Sequence, residues 1–368
     1  MNEKHYHIIT YGCQMNVHES EKIAGTLKKM GYEPVADSED ADIVVFNTCC
    51  IRENAENHAY GNIGALKKLK KSKKDLLIAV GGCMTQQPGK AEELKKKFPF
   101  VDIVFGTHNL DELQKLVELK LKCKKSVVDV WEKEGEISEK DEPFRTSYPN
   151  AWVNIMYGCN NFCTYCIVPF ARGNNRSVPE DEVLRQIGVL LEKGFEEICL
   201  TGVDACSYKP SFSGLVKKIL EAFPSLPSLQ FGSLDPAAVD DEFVALVGKY
   251  RNIWPHFHLS VQSGDNTILK RMRRRHGREE VIGLCAKIRA VRPEATFGAD
   301  FICGFPTESE EAFMNTVRLV EEAGIGRLHV FPYSERPGTP AALMPQVPVE
   351  VRRKRAKILR EKGEAVDD

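Results

Sequence analysis

The chain has 368 residues, 42% of them hydrophobic and 28% charged, with a formal net charge of −1. That length suits two domains with full cores, and no run approaches the roughly 18 apolar residues of a membrane span. Residues 1–10 lack the apolar core of a signal peptide, so a cytoplasmic location is expected, and the 12 cysteines point to metal ligation or catalysis rather than to a small secreted disulfide scaffold.

The first third alternates strand and helix signals. Residues 5–10, 42–47, 76–80, 101–105 and 126–130 read as short apolar strands, with helices such as 19–30 and 90–97 between them. This alternation predicts an α/β fold class, with an N-terminal open parallel sheet domain over residues 1–131. Residues 132–150 carry Gly135, Pro143 and Pro149 without an apolar period and read as a linker. Strand signals resume at 152–156, 197–201, 228–233, 256–261, 296–302 and 327–333, separated by helices such as 179–193 and 308–323. Six such units over residues 151–347 suit a partial (β/α)6 barrel. Residues 348–368 form a basic helix.

Three stretches concentrate positive charge. Residues 67–74 hold six Lys, Arg271 to Arg278 hold five Arg, and residues 352–362 hold seven basic side chains. Such patches bind phosphate backbones or simply solvate helix faces.

Cys159, Cys163 and Cys166 are spaced C-x3-C-x2-C just after the first barrel strand. Three thiolates can hold three irons of a 4Fe–4S cube and leave the fourth iron open to a ligand. Barrel active sites form at such strand ends. A second set follows strands of the first domain: Cys13 after the first, Cys49 after the second and Cys83 after the third. Open α/β sheets bind ligands along that edge. Gly12, Gly81 and Gly82 let the backbone approach a bulky group. Singly each cysteine is commonly a small buried hydrophobe; together they indicate a second 4Fe–4S cluster. Cys50 adjoins Cys49 and competes with it as a ligand, and the strand-to-loop frame favours Cys49.

The C-x3-C-x2-C set resembles the radical S-adenosylmethionine (SAM) superfamily. Two three-cysteine sets in this order resemble the tRNA methylthiotransferase family, with its MiaB-like and MtaB-like subgroups. Tyr11-Gly-Cys-Gln-Met-Asn16, Asn47-Thr-Cys49, Arg52-Glu-Asn-Ala55 and Gly82-Cys83-Met84 resemble its N-terminal domain. Tyr157 to Pro169, Phe331 to Ser334 and Arg336 to Pro340 resemble its radical domain. The resemblance implies that the cluster at Cys159, Cys163 and Cys166 binds and reductively cleaves SAM. The cluster at Cys13, Cys49 and Cys83 would carry the sulfur. The product would carry a methylthio group at C2 of an N6-modified adenosine 37, next to the tRNA anticodon. The implied partners are the anticodon stem-loop and a flavodoxin or ferredoxin as reductant, with a monomer and no membrane expected.

Residues up to 169 are similar to the subgroup acting on N6-isopentenyladenosine. The stretches 172–179, 201–204 and 272–276 are more similar to the subgroup acting on N6-threonylcarbamoyladenosine. The isopentenyl substrate is favoured, because it has the longest continuous resemblance. A threonylcarbamoyl carboxylate would need a cation, for which Arg172 and Arg176 are candidates. Contacts to SAM are expected from Phe162, Tyr165, Thr201, Gly202, Asp204, Ser233, His258 and Gln262. The family's TRAM domain, which grips RNA, has no counterpart by Asp368, so weak RNA binding is expected. Rival readings are methylthiolation of a ribosomal protein aspartate and a non-enzymatic iron–sulfur electron carrier.

Overall fold

The structure, a computed structural model, describes residues 3–50, 53–135, 137, 143–145 and 147–367. Arg52 of the 52–55 stretch lies outside the described residues, as do several positions of the expected linker. The chain forms two compact units, residues 1–148 with 167–174, and residues 149–166 with 175–368.

The first unit is built on six strands: β1 (Lys4–Thr10), β2 (Tyr32–Pro34), β3 (Ile43–Thr48), β4 (Leu77–Gly82), β5 (Ile103–Phe105) and β6 (Val127–Asp129). They lie in the order β2-β1-β3-β4-β5-β6, all parallel. Every residue of β3 and β4 is buried, as expected of parallel strands covered on both faces. Successive side chains point to opposite faces. Val45 therefore joins Ile23, Leu27 and Phe105 in one core, while Val44 and Phe46 join Ile63, Val80 and Leu94 in another. The covering helices are α1 (Gln14–Lys29), α2 (Glu53–Ser72), α3 (Cys83–Gln86), α4 (Lys90–Lys97) and α5 (Leu113–Cys123).

After β7 (Asn150–Tyr157) comes α6 (Val168–Arg172). This segment was expected within the barrel but groups with the first unit, because Ile167 and Ala171 pack on Cys50 and Cys83.

In the second unit, β8 (Arg176–Ser177) pairs antiparallel with β7. Then follow α7 (Glu180–Glu192), β9 (Glu197–Gly202), α8 (Phe212–Ala222), β10 (Ser228–Phe231), α9 (Asp241–Lys249) and β11 (His256–Gln262). The remainder is α10 (Asn266–Arg271), α11 (Arg278–Val291), β12 (Thr296–Cys303), α12 (Glu310–Ala323), β13 (Arg327–Pro332) and α13 (Val349–Asp367). One sheet runs β10-β9-β7-β8 and another β11-β12-β13. Parallel bridges Leu229–Ile253 and Leu234–Leu259 connect them. Six parallel strands thus form an incomplete barrel, as the alternation predicted. Several helices start where a polar side chain takes up a free backbone N–H: Ser211, Asp240, Asp265 and Ser309 cap α8, α9, α10 and α12.

Along β11, burial alternates. Phe257, Leu259 and Val261 enter the apolar layer, where Phe257 meets Phe243 and Phe297. His258, Ser260 and Gln262 consequently face the barrel interior.

Candidate metal centres

Strands β1, β3 and β4 are neighbours, with Thr10 opposite Asn47 and Thr48 opposite Gly82. Cys13, Cys49 and Cys83 therefore leave the same sheet edge within a few residues of one another. Cys13 caps α1, and Cys83 opens α3. Cys49 and Cys83 are buried and Cys13 is half-buried. A Cβ at Gly81 would strike the Phe105 ring, and at two further points the backbone also takes the left-handed region. Gly12 has φ +109°, and a Cβ there would lie 2.9 Å from the Cys49 sulfur. Gly82 has φ +99°, and a Cβ there would meet the Thr48 backbone at 2.5 Å.

A buried ion pair backs this set. Arg172 Nη1 and Nη2 donate to Glu19 at 2.6 and 3.0 Å, and Nη2 also donates to Asn16 at 2.8 Å. Asn16 in turn donates to the carbonyls of Tyr11 and Thr48, at 2.7 and 3.0 Å. The Cys83 thiol is held below its ordinary value, first by a hydrogen bond from Cys50 and then by the Arg172 cation. Cys50 is held above its ordinary value by donating that bond and by burial. The donor chemistry fits an iron–sulfur group: three thiols on one sheet edge and one fixed cation.

The second set lies on the loop after β7. Gly158 and Phe162 take left-handed backbone, with φ +70° and +45°. The loop is tied down by Thr164, whose N–H and hydroxyl donate to the carbonyls of Met272 and Arg271 at 3.1 and 2.8 Å. Cys159 and Cys163 are buried and Cys166 is half-buried. Burial pushes the Cys159 thiol up to about 11. Iron must therefore displace a proton here. Arg274 supplies the compensating charge: Nη1 lies 3.7 Å from the Cys163 sulfur, and Nη2 lies 3.2 Å from Asp235. Burial alone would raise the Asp235 carboxyl. His276 and Arg274 outweigh it and hold the group well below the usual carboxylate range.

On the barrel's inner face, Asp300 Oδ1 lies 3.2 Å from His258 Nε2 and 3.4 Å from His329 Nδ1. The hydroxyl of Ser233 donates to Asp300 at 3.4 Å. Burial works against the Asp300 charge, yet the two imidazoles hold its carboxyl well below the usual range. Such a set can exchange hydrogen bonds with a polar ligand or hold a cation.

The expected SAM contacts fall into two groups. Ser233 and His258 meet at Asp300, and Gln262, with φ +72°, ends the same strand as His258. Thr201, Gly202 and Asp204 lie at the end of β9, where the Asp204 carboxylate accepts from Asn161 and Ser207 at 2.8 and 2.6 Å. Asn161 sits between Cys159 and Cys163, so Asp204 anchors the cysteine loop. Phe162 is exposed, and Tyr165 packs edge-on against Phe305. Arg172 sits with the first cysteine set, engaged by Glu19, and Arg176 lies over the Tyr157 ring. Sequence reasoning missed Asn16, Glu19, Arg274 and His329. Asn16 and Glu19 fall three apart on α1 just after Cys13, a same-face spacing that marks a shared partner.

Two family matches cover the two units. Residues 5–106 match the Uncharacterized protein family UPF0004, and residues 153–320 match the Radical SAM superfamily. The chain is 45% identical to a tRNA-2-methylthio-N(6)-dimethylallyladenosine synthase of Carboxydothermus hydrogenoformans, over 96% of this chain and 82% of that protein. A synthase of the same name from Acetivibrio thermocellus is 42% identical, over 96% of this chain and 75% of that one. Among solved structures, the radical S-adenosylmethionine methyltransferase TsrM from Kitasatospora setae aligns with a TM-score of 0.66 at 13% identity, over 93% of this chain and 75% of that chain. That likeness concerns the fold.

Proposed function

Because the chain belongs to the tRNA-2-methylthio-N(6)-dimethylallyladenosine synthase family of radical SAM enzymes, we propose that it adds a methylthio group to C2 of N6-dimethylallyladenosine 37 (the isopentenyl-bearing base) in tRNA, using one 4Fe–4S cluster in each unit. The observation that carries this reading is the pair of three-cysteine sets, each at the C-terminal ends of parallel strands and each backed by a buried arginine. Radical SAM membership brings SAM and the cluster held by Cys159, Cys163 and Cys166. Bound there, they supply one-electron chemistry able to attack an unactivated C–H bond. The second cluster, held by Cys13, Cys49 and Cys83, is part of the proposal.

The chain's own groups do the positioning. Thr164 and Asp204 fix the loop that carries the radical-site cysteines. Ser233, His258, Asp300 and His329 line the barrel interior and suit the polar atoms of SAM or of the adenine. Gly12 and Gly82 let the backbone close around the first set. The substituent choice has a physical argument as well. A threonylcarbamoyl carboxylate needs a cation when buried. Arg172, the buried candidate, is already satisfied by Glu19 and Asn16. A dimethylallyl group needs only an apolar wall.

The test is anaerobic reconstitution to about eight irons per chain, followed by nucleoside mass spectrometry. Dimethylallyl- and threonylcarbamoyl-modified tRNAs are offered in competition, with a reductant such as flavodoxin or ferredoxin. Methylthiolation of the dimethylallyl base is the expected result. Exclusive use of the threonylcarbamoyl base overturns the substrate, and modification of ribosomal protein alone overturns the reaction. About half the iron should remain after Cys159, Cys163 and Cys166 are all changed to Ala; loss of all of it overturns the two-cluster assignment.

A further inference from the structure

We propose that the Arg172–Glu19 pair is an electrostatic positioning device for the cluster at Cys13, Cys49 and Cys83: Arg172 fixes a cation beside that sulfur cage, and Glu19 sets how much of the charge the cage feels. The proposal rests on the two-cluster reading above.

Both side chains are about 5% exposed. A buried ion pair is a poor stabiliser, since desolvation offsets most of the attraction and apolar side chains of similar volume often do as well. Stability alone therefore gives little reason for an arginine, a glutamate and an asparagine to be sealed together here. Their placement gives a better one. Asn16 bonds Arg172 with its side-chain oxygen and the carbonyls of Tyr11 and Thr48 with its amide nitrogen. Those carbonyls flank the turns carrying Cys13 and Cys49. The guanidinium thus reads the same backbone that places two of the three sulfurs, and the residue before it, Ala171, packs in one buried cluster with the third, Cys83. Glu19 grips it through both carboxylate oxygens, which fixes the guanidinium plane.

The chemistry assigns the direction of the effect. Three thiolates make the cage anionic, and reduction makes it more so. A nearby cation stabilises the reduced form and raises the reduction potential; net charge and hydrogen bonds to the sulfurs are recognised controls of that potential. Arg172→Gln should lower the potential. Glu19→Gln, which leaves the cation uncompensated, should raise it. Arg172→Lys keeps a charge but loses the planar fork, and should restore the potential only in part.

The experiment uses the full chain with Cys159, Cys163 and Cys166 changed to Ala, so that one cluster remains. Iron content and an EPR-monitored redox titration are the readouts. Arg172→Gln is expected to weaken iron retention by about 10–100-fold, the usual cost of losing an outer-sphere partner, and to lower the potential. The double variant Glu19→Gln/Arg172→Gln leaves no buried charge, so it guards against a mere folding failure, and its potential should lie between those of the two single variants. Opposite shifts for Arg172→Gln and Glu19→Gln support the device. Unshifted potentials, or shifts in the same direction, overturn it alone. A parent without iron overturns the two-cluster reading and this proposal with it.

Discussion

Cys49 and Cys50 are adjacent and both buried, yet their surroundings differ. Cys49 presents its sulfur to the Gly12 backbone, on the turn that leads to Cys13. Cys50 points into an apolar group with Ile167 and Ala171 and spends its proton on Cys83. Cys50→Ala should therefore retain about eight irons, whereas Cys49→Ala should fall to about half. Equal loss in both, by iron assay after reconstitution, would make Cys50 a ligand. Gly12→Ala is a sharper probe, because it adds one methyl. It strains a left-handed backbone and drives that methyl against the Cys49 sulfur, so iron at the first set should drop while the radical-site cluster remains. An unchanged iron count would sink the close-approach argument. The six cysteines were legible because spacing and strand ends are local signals. Glu19 and Arg274 were not, because their meaning lies in partners 153 and 111 residues away.

At the scale of elements, apolar periodicity found the sheet strands other than the short β2 and β8, and α4, whose limits match residue for residue. It missed the start of α1, since Asn16 and His18 are polar and yet buried. It misjudged the last helix more instructively. Its basic run was open to reading as a phosphate-binding face, but Arg352 and Arg355 point inward. Arg352 donates to the carbonyls of Val347 and Tyr333, at 2.7 and 3.1 Å, and Arg355 donates to Glu308 at 2.7 Å. Arg360 similarly reaches the Val330 carbonyl. These arginines hold α13 against β13 and the turn after β12. Glu308→Ala would leave the buried Arg355 guanidinium with only the residue 308 main-chain carbonyl and the exposed Glu310 carboxylate, at a cost of about 1–3 kcal/mol. Chemical denaturation should show that loss. A cost below about 1 kcal/mol, the level of an exposed pair, would mean that α13 is not fastened this way.

For the whole molecule, a net charge of −1 hides how the positive charge is spent. In the arginine cluster after β11, Arg274 and Arg275 face Asp235, and Arg278 pairs with Glu322. Most of α13's cations are engaged as well. The lysine run on α2 is different. Lys70 pairs with Asp102 and Lys73 with Asp42, while Lys67 and Lys71 line an open cavity of about 360 Å³ with Lys97, Phe98 and Phe100. Lysine amines beside aromatic rings suit a phosphate backbone and a base in contact with it. If tRNA is the substrate, this is where an electrostatic contribution should appear. Binding should weaken steeply as salt rises, with a log–log slope of roughly 0.7–0.9 per phosphate contact. Changing both Lys67 and Lys71 to Glu should remove about two such contacts and flatten the slope accordingly. Changing Arg353 and Lys354 on α13 should have a smaller effect. The check is a filter-binding or anisotropy titration across roughly 50–200 mM salt. A slope untouched by the α2 substitutions would assign the lysine run to solvation and place the RNA contacts elsewhere on the chain.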